Sequence, residues 1–306
     1  MKYSTQLETI IKTSGWSQEQ LAQNLNVSFA TLNSWINERS QPRAKALLKI
    51  DRLYLSIIGV NNVQEDELRK AKQRALKLTA NPKAIATNKE VLDKLTLYLT
   101  YHTNTIEGST MTLSDVEDVI FDHKVLANRT AVEQAEARNH QSTLHWLLDE
   151  LLKGGKNFAI DEALMLGIHL RLMNGIISDA GEYRKHTVRI LGSHVALANW
   201  AKVPELVAEL TDDLKKQPDD IIGVMASTHA RFEQIHPFSN GNGRTGRLIM
   251  LIQALKMGLI PPLVVKERRY AYYKYLEIAQ TKKSYRPLEL FVAESMIFTH
   301  ELLEVK

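Results

Sequence analysis

The chain has 306 residues, no cysteine, 44% apolar and 24% charged residues, and a net charge of +4 at pH 7. That balance suits a folded protein with one large core and a smaller module, and the missing cysteines exclude disulfides and thiolate metal sites. MKYSTQLETI at the N-terminus lacks the apolar centre of a signal peptide, and runs such as LIMLI at 248–252 are far too short for a bilayer, so a cytoplasmic chain with no membrane partner is expected.

Residues 1–80 hold 12 Lys and Arg against 7 Asp and Glu, whereas the remainder holds 27 against 28. The basic excess in the first quarter points to an anionic partner there or, as readily, to a solvated surface. Residues 4–58 read as several short helices. Within them, WSQEQLAQNLNVSFATLNSWINERSQP (16–42) places Ser17 as a cap and Leu21, Ala22 and Leu25 on one inner face. Ser28 caps a second helix whose inner face is Leu32, Trp35 and Ile36. Two short helices on a tight turn make a helix-turn-helix. The outer face of the second helix offers Thr31, Asn33, Ser34 and Asn37 to base edges, and Arg39, Arg43 and Lys45 follow for phosphates. The stretch resembles the repressor-like helix-turn-helix family, which implies a phosphate contact for Gln18 and DNA as a partner through residues 16–45; modules of this size also serve as packing domains.

GVNNVQEDE (59–67) reads as a linker, ELRKAKQRALKL (67–78) as a basic helix, and NPK (81–83) as its break. Long amphipathic helices then follow at 89–106, 130–153, 161–173, 203–216, 219–235, 243–257, 268–281 and 287–303. At the end of the first, TNTIEG (103–108) sets Thr103 and Glu107 one turn apart, with Gly108 as a C-cap. A carboxylate at a helix C-terminus is disfavoured by the helix dipole and gains from a cation elsewhere. GEYRKHTVRILGSHV (181–195), with β-branched residues and an LGS turn, predicts a β-hairpin.

The chemistry concentrates in HPFSNGNGRTGR (236–247), a junction between two helices. Gly241 and Gly243 let backbone N–H groups approach a ligand, and with the next helix N-terminus they form an anion site. Arg244 and Arg247, one turn apart, can reach phosphate oxygens as planar forks. His236 can take a proton near neutral pH. These parts suit phosphoryl or nucleotidyl transfer. None of the histidine pairs has zinc-site spacing.

The string HPF-x-x-GNGR-x-x-R resembles the signature of the Fic family, enzymes that mostly transfer AMP from ATP to a protein hydroxyl, and the likeness runs from about residue 85 to 300. It implies a mostly α fold: a Fic-type helical domain with a small β-hairpin flap, behind the helix-turn-helix module. The expected parts are a module at 1–58, a linker helix at 59–84 and a Fic domain at 85–306 that includes an inhibitory helix at 89–108. By the resemblance His236 is the general base towards a target Ser, Thr or Tyr hydroxyl, on another protein or on a copy of the chain itself. Asn242 and the backbone of Gly241 and Gly243 hold the α- and β-phosphates, Arg244 the β-phosphate and Arg247 the γ-phosphate. The flap residues Thr187, Val188, Arg189, Ile190 and Leu191 pair with an extended target segment. Tyr272 and Tyr273 stand near the adenosine, or are core residues at helical spacing. TNTIEG resembles the family's inhibitory motif, whose glutamate, here Glu107, pairs with the second arginine, here Arg247. A homodimer is also implied.

Asn240 departs from the pattern, since the family has Asp or Glu there as the protein carboxylate on Mg²⁺. An amide oxygen lacks the charge. Either transfer persists with weaker metal affinity, or the enzyme is slow, altered in donor or inactive; Asn240 also suits a loop position with positive φ. The leading expectation is an ATP- and Mg²⁺-dependent, autoinhibited adenylyltransferase. The alternatives are a DNA-binding regulator whose Fic domain senses nucleotide, and an enzyme that removes AMP.

Overall fold

Capping and turn residues start and stop most helices. In the computed structural model, which describes residues 2–58, 63–190, 195–216 and 218–304, fifteen α-helices follow one another and no strand occurs among the described residues. A single antiparallel bridge joins Thr79 to Leu259. Among the described residues no helix is long and apolar enough to cross a membrane.

The first four helices are α1 (Tyr3–Ser14), α2 (Gln18–Leu25), α3 (Phe29–Ile36) and α4 (Ala44–Ile58). Ser17 accepts from the Gln20 N–H while the Gln20 side chain accepts from the Ser17 N–H, a reciprocal cap. Ser28 accepts from the Thr31 N–H and starts α3. Leu21, Ala22, Leu25, Leu32 and Trp35 are buried as their spacing predicts, with Leu7, Ile10 and Ile50 beneath them.

Helix α5 (Glu65–Ala75) begins two residues earlier than its apolar pattern predicts, because Glu65, Asp66 and Glu67 suit the positive end of the helix dipole. It lies docked rather than extended between two parts: Lys72 pairs with Asp220 at 2.6 Å and Glu289 at 2.5 Å, and Arg74 with Glu301 at 2.8 Å. Asn81 and Pro82 do more than break α5, since the Asn81 side chain accepts from the Lys83 and Ala84 N–H groups and opens the short α6 (Pro82–Thr87).

The larger part runs through α7 (Lys89–Ile106), α8 (Leu113–Ile120), α9 (Ala131–Gly154), α10 (Glu162–Met173), α11 (Val203–Leu214), α12 (Ile221–Ile235), α13 (Asn242–Lys256), α14 (Arg269–Lys282) and α15 (Arg286–Glu304). Helix α13 is apolar or buried almost all round and is the central rod, packed on α7, α9, α10 and α12. One core lies against α7, α9, α10, α11 and one side of α13. A second joins α12, α14 and α15 without a break to Leu7, Leu21, Leu32 and Ile50 of the first four helices. Arg52 of α4 stacks over the Tyr270 ring of α14, 5.2 Å from its centroid.

The hairpin expected at 181–195 does not appear as a ladder in its described part. Residues 181–190 form no strand, and the turn, including Leu191, lies outside the described residues. The Arg184 side chain takes carbonyls on both arms of this segment, which holds it without strand pairing.

Because the second core is continuous, Ile50→Ala should cost about 2–5 kcal/mol and lower one shared melting transition. Tryptophan fluorescence and far-UV dichroism on the same sample check this; an earlier, separate fluorescence transition would show that residues 3–58 unfold alone.

Candidate active site

Three helix ends meet at the site: the C-terminus of α12, the N-terminus of α13 and the C-terminus of α7. His236 stops α12 in a left-handed conformation, φ 51° and ψ 61°. A residue with a Cβ adopts that at a cost of about 1–2 kcal/mol, and such strain persists where neighbours over-determine it. The His236 N–H caps the helix on Phe232 O at 2.9 Å. Its Nδ1 lies 3.2 Å from Glu233 O. A carbonyl only accepts, so Nδ1 carries the proton and the neutral ring keeps its lone pair on Nε2. Burial holds the imidazole below its ordinary range, the Glu233 carbonyl opposes this, and nearby Arg184 adds to it. His236 is thus set up as a neutral base.

The loop that follows is stapled from within. The Asn242 side chain is buried, accepts from Phe238 N–H and donates to Phe238 O, both at 2.9 Å. Its side-chain amide therefore sets the shape of the loop. Phe238 is fully buried and stacks on His169 of α10, with ring centroids 3.6 Å apart. His169 Nδ1 accepts from Gly181 N–H at 2.9 Å, so Nε2 holds the proton and donates to Asn240 O at 3.0 Å. Burial pushes His169 down to about 4, which keeps that tautomer neutral. Gly241 caps α13 with φ 78°, and a Cβ there would stand 2.7 Å from Met173 Sδ. The first-turn N–H groups of α13 have no acceptor within the helix.

Glu107 occupies the mouth of that helix. Its Oε1 accepts from Arg247 Nη2 at 2.6 Å, and a Cβ added at Gly243 would collide with its carboxylate. The Arg247 Nε donates to Thr103 Oγ1 at 2.8 Å and Nη1 to Tyr272 OH at 3.4 Å. Gly108, at φ 111°, turns the chain away just beyond. Thr103, Glu107, Gly108, Gly243 and Arg247 are thus brought together. Arg244 faces the other way and pairs with Glu136 of α9 at 2.7 Å. Tyr272 is buried, with its hydroxyl 2.6 Å from His229 Nε2, so it is core to this network. Tyr273 is 46% exposed and donates to Ile106 O at 3.3 Å, leaving it at the rim. Thr187, Arg189 and Ile190 are exposed and Val188 half-buried; among the described residues the backbone of 187–190 makes no hydrogen bond.

Magnesium needs oxygen ligands and is ordinarily held by one or two carboxylates plus substrate phosphate. Asn240 is exposed and its Oδ1 already accepts from Gly241 N–H at 2.7 Å. Among the described residues no group of three or more His, Cys, Asp or Glu side chains gathers to hold a metal. One neutral oxygen does not fit a resident metal ion, so any magnesium here rides on a nucleotide's phosphates.

Four polar residues of the site were not legible in the sequence: Glu136, His169, Arg184 and Glu233. Their motif partners lie up to 108 residues away. Only GEYR at 181–184 and the sequence adjacency of Glu233 to His236 carried any signal. Beneath the loop, Glu233 Oε1 and His229 Nδ1 are buried without partners, and a Cβ at Gly246 would stand 3.0 and 2.9 Å from them. That close approach explains the glycine inside the motif. Burial pushes the Glu233 carboxyl up to about 8, Arg247 opposing and Glu107 reinforcing.

The outer face of α3 is likewise accessible. Gln18 Oε1 accepts from Asn33 Nδ2 at 3.2 Å, joining the starts of the two helices' outer faces. Asn37 donates to Asn33 O, and Ser34 meets Ser40 at 2.7 Å. Ser28, Asn37 and Arg39 are exposed, and Thr31 is half-buried.

Comparison with known proteins agrees with this geometry. Residues 159–254 match the family model "Fic/DOC family", and residues 7–54 match "Helix-turn-helix". The chain is 28% identical over 237 residues to "Protein adenylyltransferase Fic" of Nematostella vectensis, covering 76% of this chain and 55% of that one. It is 27% identical over 198 residues to the protein of the same name from Culex quinquefasciatus, covering 63% and 39%. The chain thus spans about half the length of these curated relatives, or less. Among solved structures, "Fic-1 (aa134 - 508) from C. elegans" superposes with a TM-score of 0.66 at 21% identity, covering 93% of this chain and 84% of that one. A Fic family protein from Desulfovibrio desulfuricans G20 gives a TM-score of 0.61 at 23% identity, covering 78% and 74%. These structures establish the likeness of fold.

Glu233 generates a stability prediction. Its carboxyl ionises near 4.5 when unfolded and about 8 when folded, so the unfolded state releases the proton first. Its contribution to stability falls as pH rises from about 4.5 to 8 and stays low above that. Glu233→Gln should remove this slope and gain on the order of a few kcal/mol over the wild type at pH 8. Urea denaturation of both proteins between about pH 5 and pH 8 measures it; parallel curves would show that the carboxyl is not held neutral.

Proposed function

From a chain that carries a Fic domain behind a helix-turn-helix, we propose an autoinhibited adenylyltransferase that moves AMP from ATP to a Ser, Thr or Tyr hydroxyl of a protein. The observation that carries this reading is the seat of Glu107. A carboxylate of the chain itself stands at the N-terminus of α13, on Arg247 at 2.6 Å and against Gly243, where an anionic ligand belongs. A helix N-terminus and a guanidinium that attract one anion suit the phosphates of a nucleotide equally. Relatives named protein adenylyltransferase support the choice of reaction.

In this mechanism the triphosphate lies on the first-turn N–H groups of α13, with Arg247 as its fork, while Arg244 stays on Glu136. Magnesium accompanies the nucleotide. His236 Nε2 takes the proton of the target hydroxyl as its oxygen attacks the α-phosphorus. The bond from that phosphorus to the bridging oxygen breaks, and pyrophosphate leaves with the electron pair. The hydroxyl is presented by a segment lying along 187–190, whose free backbone groups suit strand addition irrespective of side-chain sequence. Tyr273 at the rim suits the adenosine. While Glu107 holds Arg247, the γ-phosphate has no seat and ATP cannot take the reactive pose.

Two substitutions test this. Glu107→Gly should raise incorporation of AMP by about 10-fold or more, and adding His236→Ala should abolish it while ATP binding remains. Intact-protein mass spectrometry after incubation with ATP and Mg²⁺ reads both, with a panel of candidate targets beside the chain itself. No AMP on any protein with the Glu107 variant would sink the transferase reading.

The Gln18–Asn33 pair favours a second, compatible activity. It fixes two amides on the accessible side of α3, with Ser28, Thr31, Ser34, Asn37 and Arg39 around them, which suits DNA. Recognition of this type pairs two half-sites and therefore two copies of the chain. Binding to duplexes from the chain's own promoter should weaken with salt and lose sequence preference in Asn37→Ala. Fluorescence anisotropy that detects no duplex at low salt would leave the module as a packing domain.

A further inference from the structure

Arg184 is 2% exposed, and every acceptor it reaches is a backbone carbonyl. Nε donates to His236 O at 2.7 Å, Nη1 to His186 O at 2.7 Å, and Nη2 to Ala198 O at 2.7 Å and Ile235 O at 3.3 Å. Its own N–H donates to Pro237 O at 2.9 Å. Among the described residues no carboxylate pairs with it, unlike Arg244 and Arg247. A buried guanidinium without a counter-ion is expensive, and a scaffold role alone would be met more cheaply by neutral donors. The bonds point to a specific task. Two of the carbonyls belong to the end of α12, where the helix dipole is negative. The acceptors His236 O and Pro237 O belong to the one non-glycine residue of the motif held left-handed, His236, and to the residue after it. The other two carbonyls, His186 and Ala198, lie on either side of the target-docking segment.

We propose that Arg184 is the positioning residue of the general base: one guanidinium holds the strained backbone of His236 and, with the same fork, the root of the segment that presents the target hydroxyl. Base and target strand are then referenced to a single rigid group, which is what proton transfer within hydrogen-bond reach demands. The charge has a second effect, since the groups facing His236 are Glu233 on its own helix, Glu107 at the end of α7 and Arg184 from the segment root. Arg184 opposes protonation of the imidazole and Glu107 favours it. Removing Glu107 to activate the enzyme therefore leaves Arg184 as the charged neighbour that keeps the base neutral.

The inference rests on the transferase reading, and the test separates the two. In the Glu107→Gly protein, Arg184→Lys and Arg184→Met are compared for kcat, KM for ATP, melting temperature and the pH–rate profile. His236 is also titrated by NMR in the otherwise unaltered chain and in its Arg184→Met variant. Arg184→Lys keeps the charge and loses the fork, so kcat should fall by about 10- to 100-fold with KM for ATP and the rising limb of the profile unmoved. Arg184→Met should lose kcat and also shift that limb to higher pH, as the NMR midpoint of His236 rises. Folded variants with unchanged kcat overturn the proposal, as does a kcat loss that merely tracks lost melting temperature and ATP binding. If the Glu107→Gly parent transfers no AMP, the transferase reading fails, and the NMR midpoint still decides whether Arg184 governs His236. Should neither variant fold, a wild-type His236 that titrates at or above 6.5 overturns the proposal.

Discussion

Everything at the site is arranged around a buried guanidinium that has to be satisfied. Arg247 is 8% exposed, in the middle of the central helix, and its donors go to Thr103, Glu107 and Tyr272. Leaving such a charge unpaired would cost several kcal/mol, so the end of α7 is drawn onto the N-terminus of α13. A ligand that brings its own anionic oxygens can replace Glu107 without leaving the guanidinium bare. The Thr103 bonds aim Arg247 independently of its carboxylate partner. In this structure the charge is satisfied from within the chain.

The loop between α12 and α13 meets a different demand, keeping a half-buried imidazole still. His236 is held in a left-handed conformation, and the surrounding contacts are almost all to backbone: Asn242 on Phe238, His169 on Asn240, Arg184 on Ile235 and His236. Side chains that bind backbone fix the path of the loop irrespective of the residues it displays. Position 240 is therefore free to carry Asn, because its carbonyl, and not its side chain, is what His169 holds. Glycines occur where a neighbour leaves no room, Met173 at Gly241, Glu107 at Gly243, and His229 with Glu233 at Gly246.

The N-terminal module is not appended to this machinery but shares its core. Helix α14 carries Tyr272 and Tyr273 towards Arg247 and Ile106, and Tyr270 towards Arg52 of α4. Helix α14 thus packs against both the site and α4 in one continuous core, and packed interiors transmit strain. Lys72 and Arg74 of α5 reinforce the joint through Asp220, Glu289 and Glu301.

Much of this was legible in the sequence because it is local. Helical periodicity located α7 and α9 to α15 to within a few residues. Ser17 and Ser28 sit where caps must be, and HPFSNGNGRTGR with TNTIEG marked both partners of the Arg247–Glu107 pair. Such features depend on spacing along the chain, and spacing determines which side chains share a helix face. Tertiary structure alone decided the rest. The side-chain amide of Asn242 staples Phe238, because only the folded loop brings that backbone within 2.9 Å. Tyr272 and Tyr273 are adjacent yet part, one into the core and one to the rim, according to how α14 rotates against α12 and α15. The pattern at 181–195 shows no strand in its described part, where Arg184 binds the carbonyls of His186 and Ala198. Glu136, His169, Arg184 and Glu233 acquire their roles through neighbours that are remote in sequence or come from backbone, and backbone carbonyls leave no mark on the amino-acid string.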